Sequence, residues 1–185
     1  MFDILVIGAG PTGLVSALTF AKAGYEVAVI DPVNRAGTAA TKYSDRPPDL
    51  RTTAHLSPTV EFLKNLGAWN EISRNACALE KLVIIEDTSQ NPTFGSRKST
   101  VFDPLELGKQ NFGYNVPIKD NLEGLAKLAR ANSSITMIFG VGLKTIIQDD
   151  KVVSGILTDG ATIEAKLLIG ADGGNSQVRK SLGIG

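Results

Sequence analysis

Glycines at positions 8, 10 and 13 follow four apolar residues, Ile4, Leu5, Val6 and Ile7, and there the periodicity of the chain changes from strand to helix. A short, wholly apolar run is what a strand buried on both faces of a parallel sheet requires. From Pro11 onward Leu14, Leu18 and Ala21 recur at helical intervals, and Gly24 supplies the stop. A second apolar run, Val27, Ala28, Val29 and Ile30, ends at Asp31. The order strand, glycine turn, helix, strand, acid restricts the chain to an α/β fold of the Rossmann type with a central parallel sheet.

Each residue of that turn has a physical task. Gly8 permits the tight turn, Gly10 lets backbone approach a pyrophosphate, and Gly13 lets the helix pack closely on the strand, a contact that Ala17 extends. Pro11 sits at the helix start, where its missing N–H costs nothing. Together with Ala9 and Thr12 these residues form a loop whose free N–H groups, at the positive end of a helix dipole, suit phosphate. Asp31 stands where a carboxylate accepts hydrogen bonds from ribose hydroxyls, and its charge repels a 2′-phosphate, which disfavours NADP at this site. The turn alone does not separate NAD from FAD, since both carry an adenosine diphosphate half. A lone glycine triplet also fits other α/β turns.

Composition removes several other classes. Lysines plus arginines and aspartates plus glutamates number 19 each, so no net field favours nucleic acid or an anionic membrane. At 185 residues and 43% apolar content the chain can bury a substantial core. The only cysteine, Cys77, allows neither an intrachain disulfide nor a cysteine-based metal cluster, which suits a reducing compartment and a cytoplasmic location. No metal site is expected. The first twenty residues lack a basic n-region, and Asp3 precedes an apolar stretch broken by Gly8, Gly10 and Pro11, so they make a poor export signal.

A second strand-to-helix turn comes late in the chain. Residues 167 to 169 read as another buried strand, followed by Gly170, Ala171, Asp172, Gly173 and Gly174, with Ser176 placed to cap a short helix through Val178 and Leu182. By itself this is also compatible with a simple turn and a solvated aspartate. Between the two turns lie Arg51, ahead of a helix that ends in Leu66, Gly67, Ala68 and Trp69, and a run of Phe112, Gly113, Tyr114 and Asn115. The combination resembles the FAD-dependent aromatic hydroxylases, the class A flavoprotein monooxygenases, over nearly the whole chain, and within them the ubiquinone-biosynthesis hydroxylase branch.

That resemblance implies FAD as cofactor, with NAD(P)H as co-substrate and O2 consumed in hydroxylating a phenolic ring, here a ubiquinone precursor. It places Asp172 near the flavin nucleotide, Arg51 on the FAD pyrophosphate, Asn115 toward the flavin side and the backbone of Leu143 near the adenine. Arg35 is a weaker phosphate candidate. A planar guanidinium suits phosphate oxygens, yet Arg51 also reads as a surface arginine and Asn115 as a turn residue before Pro117. No catalytic side chain is assigned. A lipophilic substrate would bring the chain to the inner face of the membrane, although no basic amphipathic helix supports such contact. Two other outcomes remain open: a non-catalytic FAD-binding fragment, and a flavin reductase or dehydrogenase of the same fold.

The middle of the chain completes the expected architecture. Asp120 to Glu123 has capping-box character before a helix carrying Leu122, Leu125, Leu128 and Ala129, and residues 135 to 139 follow as a strand. Residues 141 to 148, 152 to 157 and 161 to 163 form a three-stranded antiparallel meander. Residues 80 to 107, with strands near 82 to 85 and 100 to 102, fit a partial excursion into a substrate domain, and 86 to 98 are loop-like. The rest of that domain is expected beyond Gly185, which makes the chain a truncated FAD-binding domain. His55, the only histidine, has no partner visible in the sequence and reads as packed or half-exposed. Trp69 reads as core, and Cys77 lacks the basic surroundings of a reactive thiol.

Overall fold

The computed structural model describes residues 1–33, 50–86 and 98–184. Its centre is a six-stranded sheet. The first strand, β1 (Phe2–Ile7), leads through the glycine turn into α1 (Pro11–Lys22), which returns to β2 (Val27–Asp31). After β3 (Thr52–Leu56), α2 (Ser57–Leu66), α3 (Trp69–Ile72) and β4 (Cys77–Ala78) come β5 (Leu82–Glu86), β6 (Lys98–Phe102) and β7 (Gly113–Pro117). The chain then runs through α4 (Ile118–Ala131), β8 (Ile135–Phe139), β9 (Leu143–Gln148), β10 (Val153–Leu157) and β11 (Thr162–Gly170) to α5 (Gln177–Ser181).

The large sheet has the order β8-β2-β1-β11-β10-β9. Its left half is parallel, with β2 flanked by β8 and β1 and β1 paired to β11, whereas β11, β10 and β9 form the antiparallel meander. Both faces of β1 and β2 are covered, which is why these strands read as unbroken apolar runs. Ile4, Val6, Val27 and Val29 face α1 and α4 through Leu14, Ala17, Leu125, Ala126 and Ala129. Leu5, Ile7, Ala28 and Ile30 face the other way, onto Leu143, Val153, Leu157 and Val178. Each fully buried leucine or isoleucine in these layers contributes on the order of 1.5–3 kcal/mol.

Two smaller sheets stand apart from this one: β3-β7-β4 and the ribbon β5-β6. In the former, Ala54 pairs with Asn115 and Asn115 with Cys77, so these three residues form one row across the sheet. Trp69 is partly buried against the helical core, its ring centroid 5.3 Å from that of Tyr114.

Three expectations from the sequence fail. Residues 161 to 163 and 167 to 169 do not belong to separate strands. They share β11, whose first half pairs antiparallel with β10 and whose second half pairs parallel with β1. Nor is that second half buried throughout. Leu167 is 48% exposed, because α1 and α4 lie over β1, β2 and β8 and leave it at the margin. The capping box at Asp120 to Glu123 does not form either. Helix α4 starts earlier, with Pro117 at its N-cap and no side-chain cap. Asp120 accepts instead from Asn75 Nδ2 at 2.8 Å, and Glu123 faces Lys119 at 3.8 Å. The φ of −54° at Pro117 already suits the entry to a helix.

Candidate functional site

The three glycines of the first turn meet three different surroundings. Gly8 has a φ of +106°, a region L side chains avoid, and a Cβ built on it would lie 2.3 Å from the Ala171 carbonyl oxygen. A Cβ on Gly13 would lie 1.8 Å from the Gly8 carbonyl oxygen. Among the described residues the same atom on Gly10 would meet nothing within 4 Å. Gly8 and Gly13 are therefore closed by protein, and Gly10 is open.

The backbone donors sort in the same way. Gly8 N donates to Ile30 O at 2.7 Å, and Ala9 N donates to Asp31 Oδ2 at 2.8 Å. Leu14 N closes the first helical bond onto Gly10 O at 2.9 Å. Gly10 is the N-cap of α1 and offers no side-chain acceptor, and Pro11 has no N–H. The first turn of α1, with Thr12 and Gly13, thus presents N–H groups that no N-cap side chain satisfies, at the positive end of a twelve-residue helix. An anionic phosphate fits that opening.

Asp31 is 4% exposed, and its two oxygens accept from Ala9 N and, at 2.7 Å, from Val33 N. It braces the glycine turn from the end of β2, a task the sequence pattern did not disclose. Beside it, Gly140 N donates to Asp31 O at 3.1 Å, and a Cβ on Gly142 would lie 3.7 Å from Pro32 Cβ. The start of β9, with Leu143 buried, is in this way brought against the end of β2.

The late turn closes onto the early one. Ala171 N donates to Ile7 O at 2.8 Å, directly beneath Gly8, and Gly170 lies against Val178. Asp172 Oδ2 accepts from Gln177 N at 2.6 Å and Val178 N at 3.1 Å, and Ser176 Oγ accepts from Arg179 N at 3.0 Å. The Arg179 guanidinium donates to Gly174 O. Partial burial pushes the Asp172 carboxyl up, but the Ser176 hydroxyl and the backbone N–H groups of Val178, Asp172 and Gln177 outweigh it, so its pKa is lowered. Gly8, Ala9, Gly10, Pro11, Thr12, Gly13, Asp31, Leu143 and Asp172 accordingly cluster at the carboxyl ends of β1, β2 and β11, where ligands bind in open α/β sheets.

Arg51 and Asn115 lie on the separate three-stranded sheet. Arg51 immediately precedes β3, and its carbonyl accepts from Ile118 N at 3.0 Å. Asn115 is half-buried at the centre of β7. Arg35 lies outside the described residues.

A family model described as an FAD binding domain matches residues 1–185. The chain belongs to that family. FAD is the cofactor of such a domain, and the open Gly10 and uncapped α1 fit its pyrophosphate. The 3-demethoxyubiquinol 3-hydroxylase of Escherichia coli K12 is 32% identical over 99% of this chain and 44% of its own length. The ubiquinone hydroxylase UbiL of Rhodospirillum rubrum is 28% identical over 99% of this chain and 40% of its own. The chain thus spans less than half the length of these curated relatives. Among solved structures, p-nitrophenol 4-monooxygenase PnpA from Pseudomonas putida DLL-E4 superposes with a TM-score of 0.73 at 21% identity, covering 98% of this chain and 43% of that one. At that identity the likeness establishes the fold.

Proposed function

We propose that these residues hold the FAD of an NAD(P)H- and O2-dependent hydroxylase that acts on a phenolic ring, a ubiquinone precursor by the names of its relatives. The observation that carries this reading is the closure of the late Gly170-Ala171-Asp172 turn onto Gly8, which joins two motifs into one nucleotide site. In this reading the N–H groups at the start of α1 hold the pyrophosphate, together with Arg51. Asp31 accepts from the adenosine ribose while bracing Ala9. The Leu143 backbone borders the adenine, Asn115 approaches the flavin side, and Asp172 fixes the turn beside it.

When bound, FAD supplies the two-electron redox chemistry and the activation of O2. The chain's own residues bind, orient and shield it, and none of them is assigned a proton transfer. The same reading makes the chain cytoplasmic, with a lipophilic substrate met at the inner face of the membrane.

Titration of the purified apoprotein with FAD, followed by quenching of flavin fluorescence, is expected to show saturable binding. NAD(P)H consumption matched by a hydroxylated phenol then identifies the reaction. NAD(P)H consumption with no hydroxylated product would point to a reductase instead, and absence of FAD binding would remove the reading altogether.

A further inference from the structure

Among the described residues three polar side chains are more than nine-tenths buried: Asp31, Asn121 and Ser176. Asp31 braces the glycine turn and Ser176 caps α5. Asn121, 1% exposed in the first turns of α4, serves neither purpose. A buried amide is costly unless its hydrogen bonds are made. Asn121 makes them across three elements. Its Nδ2 donates to Val116 O at 3.4 Å and to Pro117 O at 3.2 Å, and its Oδ1 lies 2.8 Å from His55 Nε2.

The two carbonyls fix which way the amide faces, so Oδ1 is the acceptor and His55 Nε2 must carry the proton. The neutral Nε2–H tautomer and the imidazolium both donate through that nitrogen.

Those three elements connect the two halves of the nucleotide site. Backbone ladders tie β3 to β7, and Ile118 N donates to Arg51 O, but these bonds reach no further than the first residue of α4, which continues from β7 at Pro117 and Ile118. Asn121 bonds both sides of that junction and, through His55, the neighbouring strand. Helix α4 packs on α1 through Leu125, Ala126 and Ala129, and α1 begins at the open Gly10. Arg51 and Asn115 travel with β3 and β7. We propose that Asn121, with His55 as its donor, is a positioning residue for FAD: it sets the spacing between the N-terminus of α1 and the strands that carry Arg51 and Asn115.

The inference rests on the assignment of Arg51 to FAD, and the experiment separates the two. FAD dissociation constants are measured by fluorescence titration of apoprotein for His55→Leu, His55→Gln, Arg51→Ala and the double variant His55→Leu, Arg51→Ala. Leucine retains the bulk of His55 but leaves Asn121 Oδ1 without a donor, and His55→Leu is expected to weaken FAD binding about tenfold. The amide of His55→Gln can present an N–H near the position of Nε2 and is expected to restore affinity to within about twofold. In the Arg51→Ala background, His55→Leu is expected to add less than about threefold, since coupled sites are not additive.

Wild-type affinity in His55→Leu, failure of His55→Gln to restore it, or full additivity with Arg51→Ala would each overturn the proposal. A lowered unfolding temperature with unchanged affinity counts as wild-type affinity, because it marks a role in folding alone. If Arg51→Ala itself binds FAD normally, the placement of Arg51 fails rather than the joint. His55 is half-buried, so the variants are expected to fold, and His55→Ala carries the same expectation should leucine pack poorly.

Discussion

At Gly10 and Gly13 an added side chain is expected to give opposite failures. Gly10 has a φ of −73°, ordinary for an L residue, and open space where its side chain would go. Gly10→Val should therefore fold with a near-native unfolding temperature and lose FAD affinity by about a hundredfold or more, by blocking the approach of backbone to phosphate. Gly13→Ala forces a methyl group against the Gly8 carbonyl. It should cost about 1–3 kcal/mol of stability or more, since a backbone oxygen cannot rotate away. Thermal unfolding and FAD titration of both variants distinguish the two. Asp31 combines both roles. Asp31→Ala leaves the Ala9 and Val33 N–H groups without their acceptor, and each orphaned donor costs about 1–3 kcal/mol. Its apoprotein should lose stability as well as FAD affinity, whereas a residue that touched only the ribose would lower affinity alone.

At the scale of elements, α5 depends on a carboxylate five residues before it. Asp172 accepts from the first N–H groups of that helix, and its pKa is lowered in the fold. A group depressed in this way contributes stability at pH values above its unfolded pKa and loses it as pH falls through the folded value. Wild type should thus be more stable than Asp172→Asn near neutral pH, and the gap should close as pH drops below about 4. Unfolding curves at several pH values would show it, and a gap that stayed constant would exclude the carboxylate charge as its source. The unit from β1 to β2 was legible from the residues themselves because every signal in it is local: apolar run, glycines, helical spacing, acid. Beyond it, the partners are distant in sequence. Nothing near Leu167 announces that α1 and α4 stop short of it, and Asp120 and Glu123 match a capping box while their side chains find Asn75 and Lys119. His55 and Asn121 lie 66 positions apart, so neither reveals the other. Arg51, Asn115, Leu143 and Asp172 entered by family resemblance rather than by pattern, since single polar residues carry no periodicity.

For the whole molecule, the uneven distribution of apolar surface leads to the last prediction. The large sheet is covered on both faces along β1 and β2, but among the described residues the ribbon β5-β6 is left about half exposed on both. Leu82, Val83, Ile84, Ile85, Val101 and Phe102 are each roughly half exposed there. Register places Val83 opposite Val101 and Leu82 opposite Phe102, so the two faces of the ribbon are both apolar. An isolated two-stranded ribbon is marginal in water, and a contiguous apolar patch with open strand edges promotes association. These 185 residues on their own should self-associate at tens of micromolar, within the usual range for exposed apolar edges. Substituting Val83→Lys and Val101→Glu puts an opposite-charge pair across the strands on one face, and Ile84→Thr reduces the apolar surface of the other. The triple variant should sediment as a monomer over the same concentrations. Its FAD affinity should match wild type, because the ribbon shares no hydrogen-bonded sheet with the glycine turns. A wild-type chain that stays monomeric throughout would show that the ribbon's apolar faces are not what drives association.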